Sequence, residues 1–363
     1  MIFAKKSERI LIKNATVDGA RVSLLIEDGR IAEIAPTIDG AAARVIDIDG
    51  QMLVPGLIDV HVHGCMGMES SDGSDAQVAM SRYFAEHGTT SWYPTGTTLG
   101  VDTLRAAFSE IPETPDGANI VGYHLEGPYV SYRYRGAQNP DFIRLPTLSD
   151  FEDVEPVKLI TLAPEIEGAE EYIRDTRLLC VVGHTEANYE TAMRAFKTGA
   201  KCVTHLFNAM PGLHHREPSV LGAAYDSNAY VQIISDGTHI HPSVIRMTYR
   251  LFGAERMILI SDAIRPALLA DGQYTSGGLN VTVKNGEARL ADGTLAGSSS
   301  SLYRCVRQAI AFGIPPRDAF RMASETPAAM MGLRKGRIAV GYDAEFLVLD
   351  QNWEKTEVMI LNK

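Results

Sequence analysis

Short apolar runs recur through the middle of the chain, most of them closing on polar or small residues: "LIDVHVH", "TTSWYPT", "IVGYHLE", "KLITLAP", "LCVVGHT", "KCVTHLF", "VQIISDG" and "MILISDA". The gaps between them are rich in Ala, Leu, Glu and Arg and read as helices. The eight runs end near residues 63, 95, 126, 162, 184, 205, 236 and 262. That spacing, roughly 20–35 residues, is the length of one strand plus one helix in a parallel barrel. Towards both ends the texture changes. Residues 8–49 carry β-branched runs between turns ("ILIKNATV", "RVSLLIEDGR", "IAEIAP", "RVIDIDG"), and the last thirty residues return to it in "GRIAVGYDAEFLVLD" and "KTEVMILNK". Lone hairpins are marginal and chain termini often lie close together, so the two ends are expected to pair with each other. The pattern predicts an α/β chain: a (β/α)8 TIM barrel over residues 53–333, with a small β-sandwich domain assembled from residues 1–52 and 334–363. No internal repeat or low-complexity tract interrupts it.

Composition narrows the class. With 45% hydrophobic and 22% charged residues over 363 positions, the chain reads as globular. Its apolar runs are broken by Gly, Pro and charge too often to span a membrane. The start "MIFAKKSERILIKN" lacks the apolar stretch and small-residue cleavage site of a secretory signal, so a cytoplasmic location is expected. Cys65, Cys180, Cys202 and Cys305 are far apart and form no CxxC pair, which argues against a zinc knuckle or a disulfide framework. A net charge of −11 disfavours a nucleic-acid surface but permits a small anionic ligand, which needs only a local cationic pocket.

The polar residues that close the runs carry the chemistry. His63, Glu126, His184, His205 and Asp262 fall at the C-terminal ends of their strands, where the βα-loops of a barrel converge. His61 precedes His63 by two positions, and strand alternation points both to one side. A lone histidine is ordinarily a hydrogen-bonded structural residue, and His87, His124 and His241 are read so. Four imidazoles and two carboxylates at one barrel mouth are different, because desolvating them without a cation is costly. Imidazole nitrogen and carboxylate oxygen suit Zn²⁺, Fe²⁺, Mn²⁺, Co²⁺ or Ni²⁺, and no thiolate narrows the choice. Asp262 is either a ligand or a base that takes a proton from water. The histidine pair adds a second metal position beside that of Glu126, His184 and His205, with Glu126 able to bridge them.

At "PGLIDVHVHG" (55–64) the chain resembles the amidohydrolase superfamily, and further motifs narrow the resemblance to its N-acetylglucosamine-6-phosphate deacetylase family. These are "GYHLEGPY" (122–129), "LAPE" (162–165), "GHTEANYE" (183–190), "THLFNAMPGLHHREP" (204–218), "SDGTHIHP" (235–242), "ISDA" (260–263) and "DGTLAGSSSSL" (292–302). The resemblance implies hydrolysis of the acetamide of a sugar phosphate by a barrel holding one or two divalent ions per subunit, Zn or Fe first among them. It implies Glu126, His184 and His205 as the main ligands and Asp262 as the acid/base. It implies Asn208, the backbone at Ala209 and Arg216 as phosphate contacts, His239 as a sugar or phosphate contact, and Leu295 as a wall against the acetyl methyl group. It also implies a homodimer whose partner subunit reaches toward the phosphate, with His214 or Arg133 placed to serve across the interface.

Gln138, in "RGAQNPDF", stands where that family commonly has a histidine that polarises the acetyl carbonyl; a glutamine NH₂ donates a similar hydrogen bond without becoming charged. "GSSSSL" (297–302) lacks the GxxxxGK[ST] pattern of a nucleotide loop and is read as a loop over the acetyl pocket, against a plain turn into the next helix. Three alternatives stay open. They are the same reaction on the galactosamine epimer or another acetamido sugar phosphate, a cyclic-amide hydrolase, and a barrel that only binds a metabolite. The second sits poorly with Lys158, which lies at the start of its strand.

Overall fold

The computed structural model describes residues 1–39 and 42–363. Eight parallel strands make the barrel: β1 (Leu57–Val62), β2 (Thr89–Gly96), β3 (Tyr123–Glu126), β4 (Val157–Leu162), β5 (Leu179–Val182), β6 (Cys202–Val203), β7 (Tyr230–Ile234) and β8 (Met257–Ile260). They pair in chain order. The ring closes just past the ends of β8 and β1, where the Asp262 N–H donates to the His61 carbonyl at 3.0 Å and the His63 N–H to the Ala263 carbonyl at 2.8 Å. Closure therefore fixes Asp262 beside the histidine pair.

Alternation along the strands sorts the core into two layers. Leu159, Val181, Cys202, Ile234, Ile258 and Ile260 fill the barrel interior, with Ala328 and Met330 of the helix Glu325–Met331 packed among them. Ile160, Leu162, Val182, Val203, Ile233 and Leu259 face outward, and Phe252, Leu302 and Val306 of the surrounding helices pack in the same outer layer. β1 departs from simple alternation. Ile58 and Val60 belong to the inner layer, so strict alternation would send His61 and His63 outward. The β1–β2 register pairs Asp59 with Trp92 and Val62 with Pro94, one extra residue on β1, and such a bulge re-aims the side chains beyond it.

Most βα-units carry a helix, but the stretch after β3 does not. Residues 127–156 run as loop with only the short turns Pro140–Phe142 and Leu148–Asp150. Their sequence, "GPYVSYRYRGAQNPDFIRLP", is dense in Pro, Gly and aromatic residues, which suit a loop over the barrel mouth better than a helix.

Both chain ends join one eight-stranded sheet in the order 2–3, 355–360, 345–349, 52–55, 10–17, 20–27, 30–35, with 44–47 paired to 10–17. Phe346 and Val348 face its own core with Ile10, Ile12, Leu24 and Ile26, while Leu347 and Leu349 pack on the barrel. Glu345, 5% exposed, ties the two bodies together. It accepts hydrogen bonds from Thr90 and Ser91 of β2 at 2.9 and 2.8 Å, from Asn119 and Asn362, and from the buried Lys335. After β8 an antiparallel three-stranded sheet (Gly272–Ser276, Leu279–Lys284, Glu287–Arg289) stands over the barrel mouth. Its "KNGE" turn is a hairpin signal that the eight-run pattern passes over. Among the described residues no helix is long and apolar enough to cross a membrane.

Candidate metal centre

Six side chains from five strand ends meet at the barrel mouth, and none is more than 6% exposed: His61, His63, Glu126, His184, His205 and Asp262. Glu126 is their hub. Its Oε1 lies 2.8 Å from His205 Nε2, 3.0 Å from His184 Nε2 and 3.2 Å from His61 Nε2, and its Oε2 lies 3.1 Å from His63 Nε2. Asp262 Oδ1 is 3.3 Å from His63 Nε2 and 3.5 Å from His61 Nε2.

All four rings turn Nε2 to this centre. The Nδ1 atoms of His63 and His184 lie 3.2 Å from the carbonyl oxygens of Thr95 and Tyr134. A carbonyl only accepts, so Nδ1 carries a proton and Nε2 is the nitrogen left to face the centre. His61 Nδ1 meets Gln232 Oε1 at 3.0 Å in the same manner, whereas His205 Nδ1 is buried without a partner among the described residues. The Nε2 atoms of His61 and His63 then stand 3.2 Å apart, and those of His184 and His205 3.1 Å. Ring nitrogens so close, away from water, call for a positive charge between them. Two groups satisfy the ligand spacing, Glu126–His184–His205 and His61–His63–Asp262, each with its ligand atoms within 4.8 Å of one another. The donor set fits a divalent transition ion, and the outer carbonyls are the orienting partners such ligands use.

With only the protein's own charges present, burial tends to raise the Glu126 carboxyl, but the facing histidines hold it well below the usual range. Burial likewise raises Asp262, and His61 and His63 pull it back below its ordinary value. Burial lowers His63, yet Asp262 and Glu126 keep its proton on up to about 10. An entering ion has to displace that proton.

Backbone strain collects at the same place. His184, His205 and Asp262 adopt left-handed φ values of 47°, 26° and 48°, and Phe207 and Ala209 follow at 83° and 49°. Such conformations cost on the order of 1–3 kcal/mol each in non-glycine residues and persist where packing over-determines them.

Above the cluster opens a cavity of about 550 Å³. Of the further residues singled out in the sequence, Gln138, Asn208, Ala209, His239 and Leu295 line it. Arg216 does not; it lies on an exposed loop with Nη1 2.7 Å from His215 Nε2. The guanidinium groups at the cavity are those of Arg133, Arg135 and Arg289. Arg289 comes from the unanticipated three-stranded sheet and Arg135 from the loop that replaces a helix, so periodicity did not point to either. His239 is almost buried, its Nδ1 2.8 Å from Asp236 Oδ2. Gln138 is also held by hydrogen bonds within the protein. Its NH₂ donates to Glu126 Oε2 at 2.5 Å and its carbonyl accepts the Thr98 N–H at 2.7 Å. In "GSSSSL" both readings hold in part: Gly297 lines the cavity, and Ser301 caps the helix Leu302–Ala311 through the Arg304 N–H.

His87, His124 and His241 are structural. His87 stacks on Tyr83, and His241 caps the helix Pro242–Phe252. His124 lies beneath the cluster with Nε2 2.8 Å from Thr161 Oγ1, and burial drives its pKa far down.

A family model described as "Amidohydrolase family" matches residues 52–362. The chain is 37% identical over 351 residues to an N-acetylglucosamine-6-phosphate deacetylase of Vibrio furnissii, covering 92% of this chain and 88% of the relative. It is 33% identical to an N-acetylgalactosamine-6-phosphate deacetylase of Escherichia coli O157:H7, covering 99% and 98%. Among solved structures it resembles a mutant N-acetyl-D-glucosamine-6-phosphate deacetylase of Mycobacterium smegmatis in complex with N-acetyl-D-glucosamine-6-phosphate. The TM-score there is 0.87 and the identity 31%, over 97% of this chain and 98% of that one.

Proposed function

The chain belongs to the amidohydrolase family, and from that premise we propose that it is a metal-dependent deacetylase. It hydrolyses the acetamide of N-acetylglucosamine 6-phosphate to glucosamine 6-phosphate and acetate. One observation carries the reading: a floor of imidazoles and carboxylates lies under a cavity whose walls bear Arg133, Arg135, Arg289 and His239. Metal-ligating and anion-binding groups thus face one small space.

An amide resists hydrolysis because its carbonyl is weakly electrophilic and its amine leaves badly. Glu126, His184 and His205 would hold one divalent ion and His61 and His63 a second, and such an ion would supply Lewis-acid charge to the carbonyl. Asp262, ionised at neutral pH and at the edge of the cavity, takes the proton of the attacking water and returns it to the departing sugar nitrogen. The guanidinium forks and His239 bind the phosphate, and their planar donors suit its oxygens. Asn208 and the Ala209 backbone, at the cavity wall, add contacts to the phosphate, and Leu295 limits the acyl pocket to a methyl group.

Purified protein supplied with metal releases acetate from the phosphorylated sugar far faster than from the unphosphorylated one; equal rates would reject the phosphate assignment. Asp262→Asn keeps its metal and loses roughly 10²–10⁴-fold in turnover, and substantial residual activity would place the proton transfer elsewhere.

The galactosamine epimer is a second reading, favoured by the relative that matches 99% of this chain. Acetate release compared across the two epimers separates them. The donor set supports a divalent transition ion, the family resemblance favours Zn or Fe, and the subunit is read as half of a cytoplasmic homodimer.

A further inference from the structure

The side-chain amide of Gln138 is fully specified by its neighbours. Thr98 N–H can only donate, so it selects Oε1; the Glu126 carboxylate can only accept, so it selects Nε2. The side chain is 4% exposed, so both of its bonds are shielded from bulk water. Thr98 closes the loop by donating from Oγ1 to the Glu126 carbonyl at 3.1 Å. Gln138, Thr98 and Glu126 therefore form a brace across the ends of β2, β3 and the long loop that follows β3.

We infer that Gln138 is a positioning residue for the metal centre, acting through Glu126. Its N–H occupies Oε2 and turns Oε1 toward His184 and His205, whose Nε2 atoms stand 3.0 and 2.8 Å from it. A carboxylate free to rotate would exchange its two oxygens, and a held one keeps Oε1 toward His184 and His205 and Oε2 toward His63, 3.1 Å away. Orienting partners of this kind change metal affinity by roughly 10–100-fold when removed. The inference rests on the metal-centre reading and not on the identity of the sugar.

The test is a competition titration of chelator-stripped protein with Zn²⁺ against a chromophoric chelator. Wild type is compared with Gln138→Leu, which keeps the volume and removes both hydrogen bonds, and Gln138→His, which restores an N–H donor. The Leu variant is expected to bind Zn²⁺ about 10–100-fold more weakly, and the His variant to recover most of the loss. Thermal unfolding of the stripped proteins checks that the folds are intact, and Gln138→Asn replaces the Leu variant in the same comparison if that one melts early. Unchanged Zn²⁺ affinity with a fall in kcat overturns the inference, because Gln138 then acts on the substrate carbonyl. Failure of the deacetylase reading looks different: wild type binds Zn²⁺, the variants still differ in affinity, and no acetate appears.

Discussion

His239 holds its proton to higher pH than a free imidazole: burial lowers it, but the Asp236 carboxylate at Nδ1 outweighs burial and raises it. A raised imidazole stays charged below its folded value and loses the charge as pH climbs through it. The phosphate carries most of its second charge above about pH 6, so the two charges overlap from there up to the folded value. The KM for a phosphorylated substrate is therefore expected to rise as pH increases past that point. In His239→Gln that alkaline limb flattens and KM is higher at neutral pH; a steady-state pH profile of both proteins checks it. "SDGTHIHP" singled out His239, which lines the cavity. Asp236 was not legible as its partner, because a carboxylate three residues upstream meets a histidine only once the loop after β7 has closed. Gln138 is the same case in reverse. Its type and position were readable, but the carboxylate that accepts from its NH₂ sits twelve residues away on another element.

At the scale of elements, the eight runs became eight strands because period-two burial and spacing are local properties. The bulge in β1 was not readable. It depends on how Asp59 to Val62 pairs with β2, and it lets Ile58, Val60 and the histidine pair share one side of the sheet. Nor was the Glu345 network readable, since its partners come from β2, from residue 119 and from the two terminal strands' neighbourhood at 335 and 362. That network predicts a stability effect far from the chemistry. Glu345→Ala leaves Lys335 with Asp343 alone, at 3.0 Å, and strands several buried donors. Breaking a buried pair by removing one partner costs about 3–5 kcal/mol, so urea unfolding should show a loss near the lower end of that range. Acetate release below the transition should stay near wild type.

At the scale of the whole molecule, Arg216 stands outside the cavity of its own chain, beside the exposed Leu213 and His214. A homodimer in which this loop faces another subunit would account for an arginine and an apolar side chain held out to solvent. The protein is expected to elute from a sizing column at the mass of two chains, and Leu213→Asp to shift it toward one; a wild-type monomer that deacetylates at full rate would remove this reading. The order of strands, the residue types at their ends and the resemblance to a metal-dependent family follow from the sequence alone, because burial period, spacing and motif are written in neighbouring positions. Which nitrogen of each histidine faces inward, which arginines border the cavity and what Gln138 holds were settled by tertiary structure. Each depends on distances between residues far apart in the chain, and those distances exist only after the barrel has closed.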